Sequence, residues 1–483
     1  MASSGSRWSL TIKPTGAARM SEPPAPVDLI GGLLDAPEFR EWLASKRWFA
    51  SKTRAVNALE LVESAALGED PSLLLAIVQA RLATGMHHLY QLPLGLRRGE
   101  DAGEPALIAR TADCRAYDAL GDPTLAFALM AQIDAGGEIA TSRGRYSFHR
   151  ANADADVARA EGMRAMNVEQ SNSSVVFGDR VVLKVFRKLE SGINPELEVL
   201  RFLASHSFEN IAALHGWYEY EGPALAATLG IAQQFLSGAV GGWELGLEEV
   251  LSDPEALLGR LAELGKVTAA LHATLASDHD DPAFAPVGPS QEWMSLVTAT
   301  LDEDIEEVFA RLGGDERLEP LSGRVQEIRA RLATLAQFGL SGRLIRTHGD
   351  YHLGQTLHTA GGWVVIDFEG EPARPVSERR RKHSALRDVA GMLRSFAYLS
   401  AAASRRGAPA PADFEERARR VFLDAYLDRI EPTLLPAGEA AANNLLAIFE
   451  LERAIYELQY ELEHRPDWLS IPVSAITRLL ESR

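Results

Sequence analysis

The sequence predicts an α+β protein of two lobes with a cleft between them. Three observations lead there. Short alternating apolar stretches with Gly, Pro and Asp punctuation dominate up to about residue 236, apolar residues at three- and four-residue spacing dominate from Gly241, and one strand–loop island, Arg343–Phe368, interrupts the helical part. The chain of 483 residues has room for two to four structural units at roughly 100–200 residues each. With 46% hydrophobic and 24% charged residues it has ample material for a core.

Charge and cysteine content exclude several functions. A net charge of −18, from 49 basic and 67 acidic side chains, argues against a nucleic-acid binder or an anionic membrane surface, both of which need a basic footprint. It does not forbid an anionic substrate, because one local positive pocket suffices. The single Cys114 excludes an intramolecular disulfide and a thiolate zinc cluster. No apolar run approaches the roughly 18 residues of a membrane span, and the first nineteen residues lack a secretory apolar stretch. The expectation is a soluble cytoplasmic protein, with residues 1–25 a disordered extension before an internal start near Met20.

Residues 26–95 are expected to form a small N-terminal cap. Leu29–Leu43 reads as mainly helical, RWFASK (Arg47–Lys52) follows, and VNALELVESAALG, PSLLLAIVQARLA and HHLYQLPLGL read as strands. Residues 96–236 form an intermediate region and a β-rich N-lobe. There a helix is expected around Thr124–Ala135 and a strand at Arg145–His149. VVFGDRVVLKVF is a hairpin turning at Gly178-Asp179, and NPELEVLRFLASH is a helix capped by Asn194 with Pro195 at its first position. A strand pair spans Ala212–Phe235. Residues 237–483 form the helical C-lobe, with long helices at Trp293–Leu312 and Ser322–Phe338, a helix 384–398 capped by Ser384, and a final long helix around FELERAIYELQYELEH.

The island LIRTHGDYHLGQTLHTAGGWVVIDFEGEP holds the chemistry. Asp350 follows an apolar strand, Gln355 comes five residues later, Asp367 ends the strand WVVID, and Glu369 lies two beyond it. One hairpin thus gathers oxygen ligands of the kind that suit Mg²⁺. A base, an amide oxygen and a carboxylate are also the parts that phosphoryl transfer requires. Three histidines, His348, His352 and His358, leave a zinc site open, but the aspartates favour magnesium, and His348 reads as a loop-orienting residue.

HGDYHLGQ with VVIDFEGEP resembles the catalytic and metal loops of the aminoglycoside-phosphotransferase-like branch of the protein-kinase fold. The continuation EGEPARP…ER…LRDVAGMLRSF (Glu369–Phe396) is similar to bacterial maltokinases and the related glucosamine kinases, and RWFASK resembles their N-terminal cap. The resemblance implies a bilobal protein-kinase-like fold with an N-terminal α+β cap. It implies Asp350 as catalytic base, Gln355 and Asp367 as magnesium ligands, and Glu369 as a further group at the metal. This family has D-F-E-G where protein kinases have D-F-G, so Glu369 is the assignment that rests on the family alone.

No G-x-G-x-x-G precedes the hairpin, so Ser171, Asn172, Ser173 and Ser174 are the phosphate-cradling candidates through backbone N–H groups and hydroxyls. Lysine is scarce in this arginine-rich chain, and Lys184 sits inside an apolar strand. By resemblance it is the ATP-phosphate lysine, with Glu198 as its ion-pair partner and Glu196 as the rival; Gln234 and Phe235 match the hinge that contacts adenine.

For the acceptor, Tyr456 and Tyr460 are spaced four apart beside Glu457 and Glu461. Such rings stack on sugar C–H faces while charged groups bond hydroxyls. Tyr456, Tyr460, Arg465, His352 and Arg387 are the acceptor candidates, and Trp468 is expected to pack the chain end. Asp388 either complements its helix dipole or braces the catalytic loop. The resemblance implies Mg-ATP as cosubstrate and maltose, converted to maltose 1-phosphate in trehalose and glycogen (α-glucan) metabolism, as first acceptor. Glucosamine is the second, and a trehalose synthase is the implied partner. A non-catalytic partner of another sugar enzyme and a metal-dependent hydrolase built on the His/Asp cluster are the readings of other classes.

Overall fold

The computed structural model describes residues 26–49, 55–67, 72–98, 107–112, 114–151, 162–166, 172–311, 316–336, 342–371, 374–407 and 410–481. The expected N-terminal extension, the end of RWFASK and Ser171 lie outside them.

Two sheets build the first half. A six-stranded antiparallel sheet orders its strands Val56–Ala66, Leu73–Leu82, His87–Arg97, Arg115–Asp118 and Leu107–Arg110, with Lys188–Leu189 also pairing His87–Arg97. It continues past residue 95, since two of its strands lie at 107–118. The near-continuous apolar run of Leu73–Leu82 has a physical reason: successive side chains alternate faces, and both faces are covered. Leu74, Ala76 and Val78 join the cap cluster with Leu33, Phe39 and Leu43, whereas Leu73, Leu75 and Ile77 join the main core. The helix expected over Leu29–Leu43 is two helices, Pro26–Asp35 and Pro37–Ser45, because Pro37 excludes the helical conformation at Ala36, which is extended at φ −64° and ψ 132°.

The second sheet has seven antiparallel strands and includes the expected hairpin, Ser173–Phe177 with Val181–Val185. Gly178 and Asp179 both take positive φ, 50° and 49°, and Arg180 N–H donates to Phe177 O at 2.9 Å, as a type I′ turn requires. Strand alternation buries Val181, Leu183 and Val185 and directs Lys184 to the opposite face. The strand Leu225–Gln234 then leads into the second half.

Helices make up most of that half, among them Gly242–Ser252, Pro254–Leu275, Gln291–Ala310, Val325–Ala336, Leu386–Arg405, Phe414–Leu427 and Glu439–His464. The island contributes Thr356–Thr359 and Gly362–Val365 to a small sheet that Val240–Gly241 completes. Ser384 is not the helix cap. It pairs with Leu344 in a two-stranded ribbon, and the helix starts at Leu386, whose N–H donates to Ser384 Oγ at 3.3 Å. One apolar core runs through both lobes. No helix among the described residues is long and apolar enough to cross a membrane.

Candidate active site

The lysine, the glutamate helix and the island converge in the cleft between the lobes. Lys184 Nζ lies 2.8 Å from Glu196 Oε2 and 2.5 Å from Asp367 Oδ1, and it also contacts Glu369 Oε1. The partner of Lys184 is therefore Glu196, not Glu198. Asn194 Oδ1 caps the helix Pro195–Ser205 by accepting the N–H of Glu196 at 2.8 Å, which fixes the first turn with Glu196 facing the sheet. Glu198, two positions on, faces away and takes Arg346 at 2.6 Å and Arg380 at 2.5 Å. Those arginines outweigh burial and hold its carboxyl below the usual range.

Asp367 adopts a left-handed backbone, φ 66°, which turns its carboxylate back toward Lys184 and Gln355. Burial works against its charge, but Lys184 prevails and keeps Asp367 below the ordinary carboxylate value. Glu196 moves the other way, to about 7, because burial and the two neighbouring carboxylates outweigh its lysine. Ligand oxygens of Glu196, Asp367 and Glu369 all lie within 4.8 Å of one another, and Gln355 bonds Asp367. This hard-oxygen set fits Mg²⁺, which Asp367, Glu369 and Gln355 would hold; Lys184 contacts all three carboxylates here. Asn172 Nδ2 donates to Glu369 Oε1 at 2.6 Å, so the residue that enters the hairpin reaches this cluster, while Ser173 Oγ accepts from Arg187 at 2.9 Å. Ser174 sits opposite Lys184 in the ladder, and Gln234 and Phe235 lie where the chain passes between the lobes.

The segment His348–Asp350 is anchored from beneath. Asp388, 1% exposed, accepts the N–H of His348 at 2.7 Å and of Gly349 at 2.9 Å, and it faces His272 Nε2 at 3.2 Å. These contacts make Asp388 a brace for this loop. His348 Nε2 lies 2.9 Å from Ile366 O, which ties the loop to the strand leading into Asp367. Gly349 takes φ 86°, and a Cβ there would stand 3.2 Å from Gly370 Cα, so the two loops touch where glycines permit it.

Asp350 opens on a cavity of about 420 Å³ lined by His352, Ser395, Arg453, Glu457, Glu461, Arg465 and the rings of Trp243, Tyr398, Tyr456, Tyr460 and Trp468. Trp468 does not simply pack the chain end. It stacks on Tyr398 at 6.0 Å, with Arg405 over its ring at 4.7 Å, and lines this cavity. Arg387 faces elsewhere: it bonds Glu452 at 3.0 Å, approaches Glu371 at 3.4 Å, and lines adjoining cavities. Each cavity carboxylate has an arginine: Asp350 with Arg453 at 2.6 Å, Glu457 with Arg394 at 2.6 Å, and Glu461 with Arg465 at 2.7 Å. Burial would raise Asp350, but Arg453, with His352 and His348 nearby, holds it below the ordinary value. His352 itself is pushed down to about 4, chiefly by burial.

Arg453, Arg394, Trp243 and Tyr398 were not singled out from the sequence. The signal for Arg453 was present: it precedes Tyr456 by three and Glu457 by four, the spacing of one helix face. Arg394 and Tyr398 come from another helix, and no sequence spacing links them to Glu457 and Glu461.

A nucleotide-side lysine held by a helix glutamate, a hairpin bearing the carboxylates, and an aspartate at the mouth of a polar, ring-lined cavity define a phosphotransferase of the aminoglycoside-phosphotransferase type. A family model described as a phosphotransferase enzyme family matches residues 163–370, and one described as the maltokinase N-terminal cap domain matches residues 42–122. Glucosamine kinases of Mycolicibacterium smegmatis and Streptacidiphilus jiangxiensis are each 31% identical to this chain. The first match covers 67% of this chain and 80% of the relative, the second 68% and 75%. The chain belongs to the maltokinase/glucosamine kinase family of ATP-dependent sugar kinases. Among solved structures, a glucosamine kinase superposes with a TM-score of 0.69 at 23% identity, over 92% of this chain and all of that one. Another, in complex with glucosamine, ADP and inorganic phosphate, reaches 0.67 at the same identity, over 92% of this chain and 99% of that one.

Proposed function

We propose that the protein transfers the γ-phosphoryl group of Mg-ATP to maltose, giving maltose 1-phosphate. The observation that supports maltose is the shape and charge of the Asp350 cavity. Its wall follows the long helix from Arg453 to Arg465, about 18 Å at 1.5 Å per residue, which gives room for two linked pyranose rings. Five aromatic rings line it, and each of its carboxylates is already matched by an arginine, which favours a neutral polyol. The EGEPARP…LRDVAGMLRSF resemblance is shared by maltokinases and the related glucosamine kinases and does not choose between the two acceptors.

In this reading Asp350 accepts a hydrogen bond from the acceptor hydroxyl and takes its proton as the oxygen attacks the γ-phosphorus, the bond from that phosphorus to the β-phosphate oxygen breaks, and ADP leaves. Lys184, held by Glu196, meets the phosphates; Ser171, Asn172, Ser173 and Ser174 cradle them, and Gln234 and Phe235 contact adenine. Asp367, Glu369 and Gln355 would hold Mg²⁺, which when bound offsets charge on the transferring phosphates. Tyr456, Tyr460 and Trp468 stack on the sugar, and Arg465 and His352 bond its hydroxyls.

Glucosamine is the second reading, favoured by the names of the relatives. Its ammonium needs a carboxylate, and Glu457 or Glu461 would have to release an arginine to supply one. The test is ATP consumption with maltose, glucosamine and glucose, with phosphorus NMR of the product. Maltose should exceed glucosamine at least tenfold in kcat/KM. The reverse order replaces maltose by glucosamine, and no turnover with any acceptor leaves a non-catalytic partner, for instance of the trehalose synthase that the resemblance implies.

A further inference from the structure

We propose that Arg453 is a positioning residue for the transfer step, fixing the Asp350 carboxylate through one oxygen while Glu371 fixes Arg453. The acceptor base and the segment following the carboxylate hairpin are thereby joined in one ion chain. The inference rests on the reading of Asp350 as the group that takes the hydroxyl proton.

Six contacts define the arrangement. Arg453 Nη2 donates to Asp350 Oδ1 at 2.6 Å, and Arg453 Nη1 lies 3.4 Å from Glu371 Oε1. The guanidinium also lies over the Tyr456 ring at 5.1 Å. Glu371 is itself fixed by Arg374 Nε at 2.6 Å and by Arg387, which is anchored on Glu452. A planar guanidinium with two nitrogens on two carboxylates and its face on an aromatic ring has little freedom left. Only one oxygen of Asp350 is used this way; Oδ2 lies 3.9 Å from Nε2 of His352, which lines the same cavity. The charged and titratable groups around Asp350 include Arg453 and Tyr456 from the long helix and His352 and His348 from its own loop.

Glu371 has a second significance. It follows Gly370, whose Cα lies against Gly349, the residue before Asp350. The two loops therefore meet twice, once through glycine backbones and once through the chain Asp350–Arg453–Glu371. An in-line transfer needs the acceptor oxygen, aimed by Asp350, and the phosphoryl group, aimed from the hairpin, in a fixed relation. A misplacement of about 1 Å costs on the order of 100-fold in rate. Arg453 supplies that relation and gives a role to the second glutamate of the EGEP motif.

The experiment is a double-mutant cycle on the full chain, with kcat and KM for maltose and for ATP measured separately. Arg453→Gln should lower kcat about 100-fold with the KM for ATP within about twofold, and Arg453→Lys, which keeps charge but lacks the fork, should recover only part of this. In an Asp350→Asn background, Arg453→Gln should cost less than about threefold more, because a residue acting through Asp350 has nothing left to position. An undiminished loss in that background overturns the proposal, as does a loss confined to the KM for maltose. Arg453→Lys at parental kcat overturns it too, and serves alone if Arg453→Gln does not fold. Parental turnover in Asp350→Asn by itself refutes the underlying reading of Asp350 instead.

Discussion

Removing the Asp388 carboxylate should unfasten the segment that leads into Asp350 and lower stability by an amount the contacts allow to be worked out. Asp388→Ala strips the acceptors from the N–H groups of His348 and Gly349, at 2.7 and 2.9 Å, in a site where Asp388 is 1% exposed. Hydrogen bonds to a charged acceptor are worth about 1.5–3 kcal/mol each, so the pair amounts to about 3–6 kcal/mol. At roughly 2–4 °C per kcal/mol, even the lower figure is a fall in Tm of about 6–12 °C. Asp388→Asn keeps one acceptor oxygen and should lose about half as much. The pH dependence has a definite sign. Although burial raises Asp388, the bond to His272 and the backbone N–H of Gly349 bring it below its unfolded value of 3.8. Its contribution is therefore fully present above 3.8 and is lost as pH falls through the lower folded value. Urea unfolding of the parent and both variants at neutral pH is the assay. A loss below about 1 kcal/mol in Asp388→Ala would refute the bracing role, because two buried N–H groups cannot lose a charged acceptor so cheaply.

Other outcomes follow from the same geometry. Glu196→Gln should raise the KM for ATP and cut turnover, whereas Glu198→Gln should leave ATP kinetics near parental. The latter should instead cost about 3–5 kcal/mol in urea unfolding, by stranding Arg346, which is 2% exposed. Trp468→Ala and Tyr456→Ala should each raise the KM for the sugar about tenfold with the KM for ATP unchanged, read from initial rates at saturating cosubstrate. His383 is held down to about 3, first by burial and then by Arg387, so it resists protonation where the unfolded chain accepts a proton. Its neutral burial favours the fold above about 6.5, and that support should drain away as pH falls toward 3. Urea melts at pH 7, 6 and 5 should show a shallower decline in His383→Gln. Gly391→Ala would place a Cβ 2.5 Å from Tyr351 O, and the forced shift should cost about 1–3 kcal/mol, measured by thermal unfolding.

Much of the nucleotide side was legible because its signals are local. The Gly178-Asp179 hairpin, the alternation that exposes one face of Val181–Val185, and the Asn194-Pro195 helix start lie within thirty residues, and the structure has each of them. What local pattern could not fix was rotation. Glu196 and Glu198 are two apart on a helix and so point to different sides, and only the docking of that helix on the sheet decides which meets Lys184. Ser384 shows a similar limit. It has the chemistry of a helix cap, yet ribbon pairing with Leu344 claims it and moves the helix start to Leu386.

The acceptor side was legible on one wall only. Helical spacing put Tyr456, Glu457, Tyr460 and Glu461 together, but the facing wall comes from Trp243, Ser395 and Tyr398 on other helices. That wall changes the meaning of the acids. Read along one helix, Glu457 and Glu461 are two free carboxylates inviting a cation. In the fold, Arg394 and Arg465 neutralise them, and Tyr398 Oη donates to Glu461 at 3.0 Å. The same holds for the whole-chain charge of −18, which says little about a cavity where arginines answer the acids one by one. A pair so buried is costly to break from either side, so an acceptor that must draw Glu457 from Arg394 starts several kcal/mol behind one that leaves the pair intact. Glu461 is the easier carboxylate to release, since its Arg465 is half exposed, whereas Glu457 is held by Arg394, a residue 2% exposed that sequence spacing gave no cause to notice.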